Sequence, residues 1–419
     1  MIYKLILLII TICFINAEID GTLYKIDKSS LNIKKSAYDI HKSIQTDLIL
    51  AQPGDTIYLP KGKIQINRSL WADGLSNVNI SGHGIDKTIL SFSNQIEGAE
   101  GIKIINSNNV TLEKFTIENT KGDLIKVEDT KGIKLLHIKA QWTDGPKSSN
   151  GSYALYPVKS ENVYIDSCIA IGASDAGIYV GQSKNIIVKN SEAYYNVAGI
   201  EIENSTNADV FNNYTHDNSG GILVFDLPDL LIKKGENVRV FNNNIENNNI
   251  ANFAPPGNIV ATVPSGTGIM ILATSKVEVF NNNISNNKTA NTAIMSYFMT
   301  EEPITDSLYY PYPTSIYVHD NKYNRDKQFP SFSFNQPIGF LLAYKFWRSV
   351  PDIIYDGIID NAIIENGIII DDYRICLENN INASFVNLDA ENNFKNISQD
   401  ISEHDCSHMH LPSVNLSIE

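Results

Sequence analysis

With 419 residues, 43% of them hydrophobic, the chain is long enough to bury a large core, and 47 acidic residues against 33 basic ones leave a formal charge of −14. That balance disfavours a nucleic-acid partner, which demands a basic surface, and none is expected; it leaves room for an acidic sugar polymer, whose binding depends on local charge. Beyond the first 17 residues no segment is apolar for long enough to cross a bilayer, so no membrane span is expected.

Residues 1–17, MIYKLILLIITICFINA, combine an early Lys4 with an apolar run and a small residue at the end, the pattern of a secretory leader. Cys13 lies inside the apolar run after Ile12, which does not suit a lipoprotein cleavage site. Removing Lys4 with the leader takes the formal charge from −14 to −15, and a secreted or periplasmic location is expected. In the next segment, 18–52, the stretch AYDIHKSIQTDLILA at 37–51 places Ile40, Ile44, Leu48 and Ala51 on one helical face. Such a helix is suited to cover the exposed edges of a sheet that begins after it. PGDTIYLPKG at 53–62 then reads as turn, strand and turn.

The centre of the chain repeats itself. AGIYV at 176–180, AGIEI at 198–202 and GGILV at 220–224 recur every 22 residues, each followed by a polar turn and a second apolar strand. Ile178, Ile200 and Ile222 share one column and Val180, Ile202 and Val224 another, with Tyr179, Glu201 and Leu223 between them: two columns in, one out. The second strand follows through Ile186 and Val188, then Ala208 and Val210. Ile102, Ile125, Leu155, Ile269 and Ile294 are assigned to the Ile178 column, and Asn190, Asn212, Asn242 and Asn281 to a turn column where stacked amides form a ladder. A rung of about 22 residues is too short for a strand plus a full helix and suits three short strands with three turns. The fold expected over 53–372 is a right-handed, single-stranded parallel β-helix, roughly ten rungs at about 4.8 Å each.

The pattern carries an inserted loop at 252–265 (NFAPPGNIVATVPS), read either as the wall of a groove or as packing over a neighbouring sheet. It weakens after Tyr323, passes an aromatic, Pro-containing stretch at 328–348, and resumes at 355–372 as one or two final rungs. The segment 373–419 is a tail or cap, irregular beyond Asn379, and the whole reads as one capped domain. Cys376 and Cys406 are candidates for a disulfide in an oxidising compartment, whereas Cys168 sits inside a rung like a small apolar side chain. Without the leader cysteine, three pairings remain open. His404, Asp405, Cys406, His408 and His410 form a cluster that suits a soft metal, unless a disulfide removes the thiolate; no metal site is assigned. His216 reads as a solvated turn histidine, and the Asn-Xaa-Ser/Thr triplets at Asn213 and Asn283 as structural.

In this register the outward column reads Lys103, Lys126, Tyr156, Tyr179, Glu201, Leu223 and Met270, and the column two residues on reads Glu128, Val158, Gly181, Glu203, Phe225 and Leu272. Neighbouring rungs bring these side chains about 5 Å apart, so a strip forms with Asp123, Asp175 and Asp226 at nearby strand ends. Abstraction of the proton beside a uronate carboxyl needs a base and a cation that neutralises the carboxylate. Lys126, Tyr179 and Glu201 are the candidate catalytic residues; Tyr156, Glu203, Asp175, Asp226 and Phe225 are the candidate substrate contacts, and Ca²⁺ is a candidate cofactor. The plainer reading is that outward positions of any soluble solenoid are polar or aromatic, and that Gly177, Gly181, Gly199, Gly220 and Gly221 serve tight geometry rather than a groove.

GAEGI at 98–102, GDLIKV at 122–127, ALYPV at 154–158, SDAGIYVGQS at 174–183, VAGIEIENS at 197–205, GGILVFDLP at 220–228 and NFAPPG at 252–257 resemble the exported parallel β-helix repeat proteins of bacteria. The resemblance runs from about Gln52 to Tyr297 and implies a fold and an export route; that family has no established activity to carry over. More distantly, the repeats are similar to those of pectate lyases, polygalacturonases and mannuronan epimerases. The Asn-Thr-Asp and Arg-Ile-Lys words of the hydrolases are absent, Gly82-His83-Gly84 lies too early and reads as a turn, and the epimerase word Asp-Pro-His-Asp does not occur. Arginine is scarce, and Arg239, Arg325, Arg348 and Arg374 fall away from the strip, which counts against a uronate enzyme unless lysines or Ca²⁺ replace it. Two functions follow: a polysaccharide-active lyase or epimerase on an acidic glycan, or a non-catalytic envelope protein that binds a glycan or another exported protein.

Overall fold

The computed structural model describes residues 36–334 and 336–417; the expected leader lies outside the described residues. One full rung runs through strands Ala176–Gly181, Lys184–Lys189 and Glu192–Tyr194 and returns at Ala198–Glu203, three strands and three turns as the period requires. Rung-to-rung pairings are parallel and in the expected register: Ile178 faces Ile200, Ile200 faces Ile222, and Tyr179 faces Glu201. Eleven strands stack into one sheet and nineteen into a second network. Two faces of that network merge because Asn108–Glu118 and Lys131–Gln141 each turn a corner without breaking, at the left-handed residues Lys114 (φ 59°) and His137 (φ 51°).

The inward columns of all three faces form one continuous core, with Ile178, Ile200, Ile222, Ile186, Val188, Val210 and Ile245 fully buried. Helix Ala37–Leu50 closes its N-terminal end by burying Ile44 and Leu48, with Ile40 and Ala51 packed at the margin. At the other end Phe385 joins the core, the His404 ring packs 4.8 Å from it, and a disulfide joins Cys376 to Cys406. Cys168 is buried and free, its thiol against the Leu135 carbonyl.

The asparagine ladder is displaced by one residue from its expected column. Asn190, Asn212, Asn242 and Asn281 hold the left-handed turn position, φ between 49° and 55°, which directs their side chains to solvent. The next residue points inward, so the stacked amides are Asn213, Asn243, Asn282, Asn321 and Asn380, linked Nδ2 to Oδ1 at 2.9–3.0 Å. A second ladder at another turn runs Asn196, Asn218, Asn248, Asn287 and Asn291 with the same spacing. Each interior amide also donates to a strand carbonyl and accepts a backbone N–H, as Asn248 does with Thr215 and Asn218, so the buried turns are satisfied.

Two further expectations need correction. Thr292, not Ile294, occupies the Ile178 column, because Ile269 pairs with Thr292 and Ile271 with Ile294; the Thr292 hydroxyl is satisfied by Tyr323 at 2.9 Å. Residues 355–372 do not add rungs: Ile364–Glu365 and Ile368–Ile369 form a small antiparallel hairpin across Asn366 (φ 51°) and Gly367 (φ 81°). An Asn-Gly pair with both residues left-handed matches the twist of a tight hairpin. The stacking strands resume later, at Ile375–Glu378 against Thr314–His319 and at Phe385–Asn387 against Ile353–Tyr355.

Part of the outward face of the eleven-stranded sheet is covered. Leu223, Phe225, Met270 and Leu272 bury themselves beneath Val260 and Val263 of the inserted loop and Leu342 of helix Ile338–Phe346, forming a second apolar cluster. The column that alternation makes solvent-facing is therefore roofed, because successive rungs place large apolar side chains on it.

Candidate functional site

The roof ends over the two rungs where the outward column turns acidic. There Asp175, Glu201 and Glu203 converge with Ser152, Tyr153 and the loop residue Asn258 on a cavity of about 310 Å³. Register explains the convergence: Glu201 and Glu203 share one strand two residues apart, pointing the same way, and Asp175 precedes the neighbouring strand Ala176–Gly181. Asp175 Oδ2 accepts from Asn258 Nδ2 at 3.2 Å and from the Tyr153 hydroxyl at 3.4 Å, while the Tyr179 hydroxyl donates to Glu203 Oε1 at 2.6 Å. Glu201 is only 2% exposed, and its Oε2 has no hydrogen-bond partner among the described residues.

Burial raises the proton affinity of all three carboxyls. For Asp175 the loss of hydration is reinforced by the charge of Glu203, and for Glu201 by Asp175 and then Glu203; for Glu203 the Tyr179 hydrogen bond opposes the burial effect. Three like charges gathered on one cavity oppose one another's ionisation, which favours the protonated form of the group. Burial also pushes Asp226 up to about 8 and Asp123 up to about 6.

Three tyrosine rings border the acids. Tyr153 lies 4.4 Å from Tyr156 and 4.5 Å from Tyr179, and Tyr156 lies 5.1 Å from Tyr179, centroid to centroid. Tyr153 is absent from the sequence-derived strip because strict alternation from Leu155 turns it inward; in the fold Ala154 and Leu155 both face the core, so alternation breaks and the Tyr153 ring emerges outward. Asn258 was equally invisible, since only the folded loop brings it to Asp175.

The strip divides rather than acting as one site. Tyr179, Glu201, Glu203 and Asp175 come together, with Tyr156 beside them. Lys126 does not: its ammonium pairs with Glu128 at 3.4 Å and sits 5.1 Å above the Tyr156 ring, and no Lys, Arg or His is among the described residues lining the cavity. Phe225 is no platform for a ligand, being buried in the apolar layer. Asp226 is buried outside the cavity, its backbone carbonyl bonded by Tyr309 and its Oδ1 without a partner among the described residues. The tail cluster also disperses. Cys406 is in the disulfide, His404 faces the Ile375 carbonyl, His408 faces the Arg374 carbonyl, and only His410 meets other ligand-type side chains, Glu278 and His319.

Among the described residues no helix is long and apolar enough to cross a membrane. No curated protein matches the chain. Among solved structures it is similar to the A-module of the Azotobacter vinelandii mannuronan C-5 epimerase AlgE4 (14% identity, 81% of this chain and 90% of that one, TM-score 0.49). It is also similar to the Streptococcus pneumoniae surface protein and adhesin PfbA (12% identity, 77% and 85%, TM-score 0.45) and to the N-terminal fragment of bacteriophage Phi29 gene product 12 (17% identity, 68% and 54%, TM-score 0.40). Residues 64–229 match the family model described as a right handed beta helix region, and the parallel, in-register rungs have the fold which that model describes.

Proposed function

We propose that this is a secreted protein that acts on a polysaccharide, with Asp175, Glu201 and Glu203 as its reaction centre. The observation that carries the reading is the convergence of three buried carboxyls on one cavity, one with an unpartnered oxygen. A carboxyl that keeps its proton near neutral pH serves as a general acid toward a glycosidic oxygen, and an ionised neighbour serves as base or nucleophile. Glu201, whose proton is held by burial between two other acids, takes the acid role; Glu203, hydrogen-bonded by Tyr179, takes the ionised role. The tyrosine rings at the margin suit the apolar face of a sugar.

With no cation among the described residues lining the cavity, a neutral glycan fits better than a uronate, whose carboxylate would be repelled; hydrolysis is favoured over β-elimination or epimerisation. A second reading restores the acidic substrate. Asp175, Glu201 and Glu203 are an all-oxygen donor set suited to Ca²⁺, which would ionise the acids and supply the charge that a uronate enzyme needs.

One screen separates these. Purified protein is incubated with neutral and uronate polysaccharides, with Ca²⁺ or with chelator, and assayed for reducing ends, unsaturated products and retention on immobilised glycan. Chelator-resistant release of reducing ends from a neutral glycan is expected, falling about 10²–10⁴-fold in Glu201→Gln. Ca²⁺-dependent unsaturated product supports the second reading, and retention without turnover a binding protein. No signal on any glycan, or full turnover in Glu201→Gln, removes the carboxyl centre.

A further inference from the structure

Away from the acidic cavity, a second group of side chains meets on the nineteen-stranded network. Glu278, in strand Ser275–Phe280, and His319, at the end of the neighbouring strand Thr314–His319, are 2% and 3% exposed. His410 reaches them from the C-terminal tail. Glu278 Oε1 lies 3.1 Å from His319 Nε2 and 2.6 Å from His410 Nδ1, and all three ligand atoms fall within 4.8 Å of one another. The other nitrogen of His319, Nδ1, lies 2.8 Å from Asp320 Oδ2, which fixes the ring so that Nε2 faces Glu278. A carboxylate that orients a histidine through its far nitrogen is the usual support of a metal ligand.

The approach of the tail is fixed on both sides of His410. Four residues earlier, Cys406 is bound covalently to Cys376. Immediately after, the Leu411 N–H donates to Glu278 Oε2 at 2.9 Å and the Val414 N–H to Asp209 Oδ2 at 3.1 Å; Asp209 is itself gripped by Arg239 at 2.5 and 2.7 Å. Two of the three donors are thus buried on rigid strands and the third hangs from a short, doubly anchored segment. The His410 side chain is 72% exposed, so an ion has a path in.

We propose that Glu278, His319 and His410 form a Zn²⁺ site that clasps the tail to the β-helix. Two imidazole nitrogens and one carboxylate oxygen match zinc or a neighbouring first-row divalent ion rather than Ca²⁺ or Mg²⁺, and water completes the fourth position. The metal takes the place of the hydrogens now bridging Glu278 to the two rings, and each ring keeps its proton on the far nitrogen, where His319 Nδ1 faces Asp320. The role is structural: the ion joins two adjacent strands to a segment that otherwise holds by a disulfide and a few hydrogen bonds.

His216 offers a built-in control. Its ring pairs with Asp217 at 2.8 Å and Glu192 at 3.1 Å in the same manner, but among the described residues no third ligand-type group joins them. Chelator-treated protein is titrated with ZnCl₂ by calorimetry at neutral pH, and backbone exchange of 407–417 is followed with and without the ion. One Zn²⁺ per chain is expected, with slowed exchange in the tail and a raised melting temperature. His410→Ala, at an exposed position that the core does not need, should lower affinity at least tenfold, and Glu278→Gln likewise, whereas His216→Ala should bind as the parent does. No binding by the parent protein, or undiminished binding by folded His410→Ala, overturns the site.

Discussion

The two sides of the same three strands, Ala176–Gly181, Ala198–Glu203 and Gly220–Phe225, are both buried and for opposite reasons. On the inner side Ile178, Ile200, Ile222 and their Val and Ile neighbours stack like on like, and apolar area leaves water at little polar cost. On the outer side Tyr179 and Leu223 flank Glu201, and Glu203 lies between Gly181 and Phe225, so carboxyls are dehydrated next to aromatic and aliphatic groups. Stacking order makes the inner side uniform and stabilising. The outer side holds carboxyls against their hydration, and one oxygen lacks any described partner, an arrangement that opposes stability and suits chemistry.

Substitutions in adjacent residues test this contrast most directly. Ile200→Ala should destabilise by about 2–5 kcal/mol, because the rungs on either side cannot close the gap. Glu201→Gln should be neutral or stabilising at pH 7–8; urea unfolding of the two variants gives the comparison, and equal losses would erase the distinction between the sides. The satisfied turns make an intermediate case. Asn248→Ala removes one link of the second ladder and leaves partners of Asn218 and Asn287 unmet, for a loss of about 1–3 kcal/mol, whereas Asn242→Ala at the exposed column should cost less, limited to the left-handed backbone preference. If both cost the same, the inward ladder is not what stabilises the turns.

A further effect concerns pH. Asp226 keeps its proton in the folded state up to about 8 against an ordinary 3.8, and Asp175, Glu201 and Glu203 shift in the same direction. Such groups favour the folded state fully below pH 4, and their contribution is lost as pH rises toward 8, because the unfolded chain ionises first. Melting temperature should therefore decline across pH 4–8 through these groups, and Asp226→Asn should flatten part of that slope. An unchanged slope would mean that Asp226 is not protonated in the fold.

Much of the β-helix is legible because its signal is repeated and local: the Ile178, Ile200 and Ile222 columns, the 22-residue spacing and the capping face of Ile44 and Leu48 each follow from side-chain periodicity. Errors gather where the period is interrupted. The ladder shifted by one residue because sequence does not say which of two polar turn residues takes the left-handed conformation. The hairpin at 364–369 had a readable Asn-Gly signal that the surrounding isoleucines masked. Tyr153 was lost because two successive residues, Ala154 and Leu155, both face the core and break the alternation.

The site is less legible for a reason of dimension. Periodicity fixed the column that carries Tyr179, Glu201 and Glu203, and spacing along the strand put the two glutamates on one side. It could not say that Lys126, three rungs from Glu201, would turn to Glu128, that Phe225 would lie under a roof, or that Asn258 would fold back 83 residues to Asp175. What the sequence by itself determined is the stacking axis, because a strand's neighbours there are set by the repeat. What only the tertiary structure decided is burial across that axis, since loops from distant rungs choose which outward side chains lose their water, and with it their ordinary charge.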